Sequence, residues 1–161
     1  MIPGKIKPHF VTTLQKKDGD NTIIEGVLTC CNSHTFEVYC VGEIKHSSFA
    51  QICLFPTSGN LMLEVRCKKC GKVISVFDSS CDGYEPHEKN LYSHISARPI
   101  ACKKCKDNDF SVGIRYEYPD IQELEELDIS ETESAFTWIW ITLTCNKCDK
   151  RYRNFVDFET A

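Results

Sequence analysis

Eleven of the 161 residues are cysteine, and six of them fall into pairs with two residues between: Cys67 with Cys70, Cys102 with Cys105, and Cys145 with Cys148. Two sulfurs at that spacing around a tight turn face the same side of a loop. Two such loops facing each other supply four thiolates in a tetrahedron, which is the chemistry of a structural zinc ion. The second half of the chain has the full set in Cys102, Cys105, Cys145 and Cys148. The first half has Cys31, Cys67 and Cys70, with Leu28 where a fourth cysteine would stand. His34, three residues after Cys31, is the expected fourth ligand, since neutral imidazole binds zinc readily. Cys30 is its rival, although adjacent side chains in an extended segment point to opposite faces. Cys67, Cys70, Cys81 and His87 form a third possible set. Cys40 and Cys53 sit among apolar neighbours and read as buried small hydrophobes. His9, His46 and His94 have no ligand spacing around them and read as surface residues.

Clustered cysteines are ligands where thiols stay reduced and disulfides where they do not. The N-terminal stretch Met1 to Pro8 has two lysines but no apolar run and no small-residue cleavage site after them, so it does not read as a signal peptide. The most apolar stretch, Ala135 to Leu143, is too short to span a bilayer. A cytoplasmic protein without membrane association is expected, with one or two zinc ions as cofactor. A redox role for the cysteine pairs wants a helix N-terminus after the first thiol, and all three pairs lead into strand-like sequence instead. Iron suits a four-cysteine site as well, but nothing else in the chain speaks for electron transfer.

The elements that would hold these loops recur. Leu61 to Lys72 aligns with Ile139 to Lys150 at an offset of 78, apolar positions and both cysteines included, and Cys31 to Val38 aligns with Cys105 to Val112 at an offset of 74. Two matched blocks in one order point to a duplication. Short β-branched or aromatic runs at Thr35 to Val41, Leu61 to Arg66, Lys72 to Phe77, Phe110 to Tyr118, Phe136 to Thr144 and Arg151 to Phe158 read as strands. Lys17 to Asn21 reads as a hairpin turn between Phe10 to Leu14 and Thr22 to Leu28. Helix is expected from Asp120 to Asp128 and, more weakly, from about Pro86 to Ile95. In its cysteine spacing, its strands and the glycine of Cys67-Lys68-Lys69-Cys70-Gly71, the chain resembles the zinc-ribbon family. That resemblance implies antiparallel hairpins clasping a structural zinc, and it implies no substrate. The expected fold is mainly β, small and metal-stapled: a lead segment over 1–26, a first ribbon-like unit over 27–98 and a second over 99–161, with short helical inserts.

Composition narrows the function. The chain is 42% apolar by a count that includes its cysteines, with net charge −4 and pI near 5.7. A core that lean needs staples, and the charge argues against coating nucleic acid or anionic membrane by net attraction. Four thiolates on zinc carry −2 and three with a histidine −1, so loading both sites as read here moves the chain from −4 to about −7. No phosphate-binding glycine loop or nucleophile elbow is present, so a non-enzymatic protein is expected. The insert 117–134 holds eight carboxylates and no lysine or arginine. Among these, Glu123, Glu125, Glu126 and Asp128 are the candidate contacts for a basic protein partner, as an inhibitor or immunity protein would make. Against that stands a basic set around the cysteine loops, Lys68, Lys69, Lys72, Lys103, Lys104, Lys106, Lys147, Lys150, Arg151 and Arg153, with Tyr152 and Phe155 among them, which suits nucleic acid. A zinc buffer or sensor is a third reading. Trp138 and Trp140 share one face of their strand with Phe136, and that face is expected to be core.

Overall fold

In the computed structural model, which describes residues 1–47, 50–87 and 96–161, the chain is mainly β. Its strands are β1 (Phe10–Asp18), β2 (Asn21–Leu28), β3 (Phe36–Val41), β4 (Glu43–His46), β5 (Ile52–Phe55), β6 (Met62–Cys67), β7 (Val73–Asp78), β8 (Arg98–Pro99), β9 (Phe110–Tyr118), β10 (Trp138–Cys145) and β11 (Arg151–Glu159), with α1 (Ile121–Leu124) and α2 (Ile129–Ser134) between β9 and β10.

Alternation decides which face of each strand is buried. On β9 the side chains of Phe110, Val112, Ile114, Tyr116 and Tyr118 are buried and those between them half-exposed, the pattern of a sheet with one wet face. β10 follows suit with Ile139, Ile141, Leu143 and Cys145 inward. Trp138 and Trp140 therefore stand on the outer face, contrary to expectation. Phe136 precedes the strand, so the period-two rule does not tie it to them, and it is buried.

One curled sheet carries both halves of the chain. Its order is β1-β2-β9-β3-β6-β7, with β10 on the other side of β9, β11 beyond β10, and β8 on β3. β9 is the shared member, pairing with β2, β3 and β10. Phe36 and Phe110 meet at the one register position that joins β3 to β9. Both are fully buried, and removing an aromatic side chain of that size from water stabilises a fold by roughly 1.5–3 kcal/mol. The curl brings β7 to β11: Phe77 packs against Phe158 at 5.4 Å and against Phe136 at 6.2 Å. β4 and β5 form a separate hairpin, and Gln51 beside it ties to β11 through the Arg151 carbonyl and the Arg153 N–H.

The lead hairpin forms, but its first strand runs on past Leu14 to Asp18 and its turn tightens to Gly19 and Asp20, with Gly19 at φ +63°. Its register slips between Thr12 and Leu14. Opposite that bulge, a Cβ on Gly26 would lie 2.4 Å from the Val11 carbonyl oxygen and 2.4 Å from the Phe10 ring. Gly26→Ala is accordingly expected to cost about 1–3 kcal/mol by overpacking, read as a lower urea midpoint at an unchanged m-value.

The insert departs from the single helix expected over Asp120 to Asp128. α1 ends at Leu124, whose buried side chain anchors it, and α2 starts after Asp128. Carboxylates crowd the stretch between them, and like charges three and four residues apart oppose a continuous helix. Residues 88–95, the core of the weaker helix expectation, lie outside the described residues.

Candidate metal centres

Three of the four cysteine loops share one backbone design. The Cys67 N–H donates to the Lys72 carbonyl and the Gly71 N–H to the Cys67 carbonyl; Cys145 with Lys150 and Asp149, and Cys102 with Asp107 and Lys106, repeat both bonds. The residue after each second cysteine is left-handed: Gly71 at φ +77°, Lys106 at +65° and Asp149 at +61°. That reversal closes the loop and leaves both sulfurs on one side.

The fourth loop is built differently. Cys30 and Ser33 exchange backbone hydrogen bonds in both directions, at 3.0 and 2.9 Å, around Cys31 at φ +53° and Asn32 at φ +55°. Two consecutive left-handed residues make a mirror-type hairpin turn, which suits Asn and costs Cys31 some strain. Adjacent cysteines in an extended segment would point apart, but Cys31 is not extended. Its sulfur lies 3.9 Å from that of Cys30.

Two groups of four sulfurs result, one of Cys30, Cys31, Cys67 and Cys70 and the other of Cys102, Cys105, Cys145 and Cys148, each with all sulfurs within 4.8 Å of one another. Bonds of about 2.3 Å from a tetrahedral zinc would place sulfurs roughly 3.8 Å apart. The closest contacts match that edge: 3.6 Å for Cys30 with Cys70, and 3.5 Å both for Cys102 with Cys148 and for Cys105 with Cys145. Either group can hold a metal ion.

His34 does not join the first group, and Cys30 takes the place expected for it. The His34 ring reaches back to donate from Nδ1 to the Leu28 carbonyl at 3.1 Å. Its own carbonyl accepts from Ser111 Oγ at 3.2 Å and Asn146 Nδ2 at 3.1 Å, pinning the first cysteine loop to the second half of the chain. Cys81 and His87 are likewise apart from the cages: Cys81 Sγ contacts the Asp78 carbonyl, and His87 packs on Phe158. Cys40 is buried and Cys53 half-buried, while His46 is exposed, His9 half-buried and His94 outside the described residues.

Comparison with protein-family models, curated proteins and solved structures finds no match to this chain. The reading of the two cages rests on their own chemistry.

Each cage holds one thiol that ionises readily and two that resist, Cys30 and Cys31 in the first and Cys145 and Cys148 in the second. Burial and the neighbouring sulfurs push Cys30 up to about 12, whereas the Lys72 N–H and the sulfurs of Cys31 and Cys30 bring Cys70 down to about 7. Burial opposes ionisation of Cys102, yet the Tyr152 hydroxyl and the N–H groups of Cys105 and Lys104 bring it down to about 6. Tyr152 accepts from the Lys103 N–H at 2.8 Å and so presents its proton to Cys102 Sγ at 3.3 Å. Four thiolates this close repel one another unless a cation neutralises them, so full ionisation and metal capture go together.

The acidic insert sits at the far end of β9 and β10 from both cages. Glu125, Glu126 and Asp128 are exposed without an ion pair among the described residues, and the side chain of Glu123 is not described. Glu117 is engaged by Asn21 Nδ2 at 2.6 Å and Glu133 by Lys7 at 3.7 Å. The basic residues gather at the cage end, where Lys68 Nζ bonds Asn108 Oδ1 at 2.9 Å across the two cages and Lys147 pairs with Asp107 at 3.5 Å. No described helix is long and apolar enough to cross a membrane.

Proposed function

We propose that the chain is a non-enzymatic, cytoplasmic binding protein stapled by two structural zinc ions, one in each four-cysteine cage. The observation that carries the reading is the fit of eight sulfurs to two tetrahedra. Thiolate-only cages with no open position suit a structural ion, and zinc rather than iron because nothing around them serves electron transfer. Cys30, Cys31, Cys67 and Cys70 would hold one ion and Cys102, Cys105, Cys145 and Cys148 the other. Each site would carry −2, taking the chain to about −8, and the lysines packed around the loops offset that charge.

A tandem ribbon is the architecture we infer. Supporting it, the pairs Phe36 with Cys67 and Phe110 with Cys145 occupy equivalent positions under the offsets of 74 and 78, as do Arg66 with Val73 and Thr144 with Arg151. Both outer pairs also slip register, between Leu63 and Glu64 and between Ile141 and Leu143.

A basic protein is the partner class we favour, docking on Glu125, Glu126 and Asp128, because these carboxylates are exposed and carry no ion pair among the described residues. The contiguity of the two cages favours a second reading, nucleic acid on the lysine-rich loops. Elemental analysis with intact native mass, on protein purified without added metal, is expected to give two zinc ions per chain. Iron, or no metal, would overturn the reading.

A further inference from the structure

Above the outer face of the sheet, between β2, β9, β10 and β11, lies a cavity of about 480 Å³. Its floor includes Gly113, where an added Cβ would meet nothing nearer than the Thr142 carbonyl oxygen at 3.8 Å and that of Gly26 at 3.9 Å. The backbone does not require glycine there, and the missing side chain leaves open space in the middle of a strand.

Trp140 and Arg115 form one side of this space. Trp140 stacks on Trp138 with ring centroids 5.4 Å apart and planes 9° apart, and the Arg115 guanidinium lies over the Trp140 ring at 4.7 Å. Three planar groups are thus in series, and the last two border the cavity. Arg115 is incompletely engaged: its Nε is buried without a hydrogen-bond partner, and the Glu25 carboxylate is 3.7 Å away. Across the floor stand Arg151, Arg153 and Asn154. The register slip between Ile141 and Leu143, with Asn154 at φ +51°, exposes the consecutive residues Arg153 and Asn154, which regular alternation would send to opposite faces. Neither Arg151 nor Arg153 has a side-chain ion pair among the described residues.

Three arginines against one carboxylate select an anion. Guanidinium planes grip phosphate with paired N–H groups and also stack on π-systems, and the volume is that of a small-ligand site. We propose that this cavity binds a nucleoside phosphate, its base stacked on Arg115 in continuation of the tryptophan pair and its phosphate held by Arg151 and Arg153. The ligand is either a free nucleotide or one unit of a single strand, since both present the same chemistry.

Trp138 and Trp140 are the only tryptophans in the chain, so intrinsic fluorescence reports on the cavity wall. The zinc-loaded full chain is titrated separately with adenosine 5′-monophosphate, uridine 5′-monophosphate, a twelve-residue oligothymidylate, inorganic phosphate and adenosine. Saturable quenching at least tenfold tighter for a nucleotide probe than for phosphate or adenosine alone, weakening with salt, is the expected result. Quenching by mononucleotides assigns a free nucleotide, and quenching by the oligonucleotide alone assigns a strand. Gly113→Val fills the floor with a residue that strands favour and is expected to weaken binding at least tenfold at unchanged zinc content and thermal midpoint. Should that variant misfold, the exposed pair Arg151→Glu and Arg153→Glu decides by the same criterion. No saturable quenching by any nucleotide probe, equal affinity for phosphate or adenosine alone, or retained affinity in the folded variants overturns the proposal.

Discussion

Replacing Cys30 by serine is expected to lower the zinc content from the proposed two ions per chain to one, while replacing His34 by alanine is expected to leave it at two. The two variants separate ligand sets that spacing alone left open, and the turn at Cys31 and Asn32 decides between them. With both residues left-handed, the Cys30 sulfur comes within 3.6 Å of that of Cys70, and the imidazole is occupied at the Leu28 carbonyl. A serine oxygen is a far poorer zinc ligand than thiolate, and three remaining sulfurs hold the ion too weakly to survive purification. His34→Ala loses one hydrogen bond to a carbonyl and keeps the backbone contacts to Ser111 and Asn146, so about 1 kcal/mol of stability is all it forfeits. Native mass spectrometry reads both results. Metal lost from the histidine variant and kept by the serine variant would sink the assignment of the first cage.

Cys145→Ser, at a buried ligand position of the second cage, is expected to be more damaging than Cys31→Ser, at an exposed one of the first, costing several kcal/mol and lowering the melting midpoint by about 10 °C or more, with Cys31→Ser well short of that. The difference comes from burial. Each cage buries two of its sulfurs, Cys102 and Cys145 in the second and Cys30 and Cys67 in the first, but the other two are half-buried in the second cage (Cys105 and Cys148) and exposed in the first (Cys31 and Cys70). Losing the ion from the second cage leaves three thiols and a hydroxyl in a half-closed site where the Tyr152 hydroxyl serves Cys102 alone, and under-paired buried polar groups are costly. The first cage opens to water, which solvates what the ion leaves behind. Thermal denaturation followed by circular dichroism tests the order, and equal midpoints for the two variants would contradict it.

How much of this was legible depends on whether the signal was local. β9 matches its expected bounds residue for residue because nine residues of clean alternation admit one reading, and the cysteines of the second cage group as their spacing implied. Three features were not legible. Spacing leaves Cys30 and His34 both open as the fourth ligand, with His34 ahead, because it carries no information about backbone handedness, although the asparagine directly after Cys31 is a turn signal. The tryptophan face reads as core only if the period of two runs back through Phe136, and β10 begins after that residue. The cavity over Gly113 is assembled from separate strands and a register slip, so no local window contains it.

β1 has a consequence for the life of the molecule in a crowded cell. Nearly all of its nine residues are exposed, and among the described residues only β2 pairs with it, leaving a row of free backbone donors and acceptors on its outer side. Such an edge is a template on which a second molecule can add a strand, and from there a fibre grows. The slip at Thr12 to Leu14 breaks the straight run, and Lys16 and Lys17 put like charges where an identical edge would have to approach. The irregularity that crowds Gly26 thus also makes this edge a poor template for a second copy of the chain.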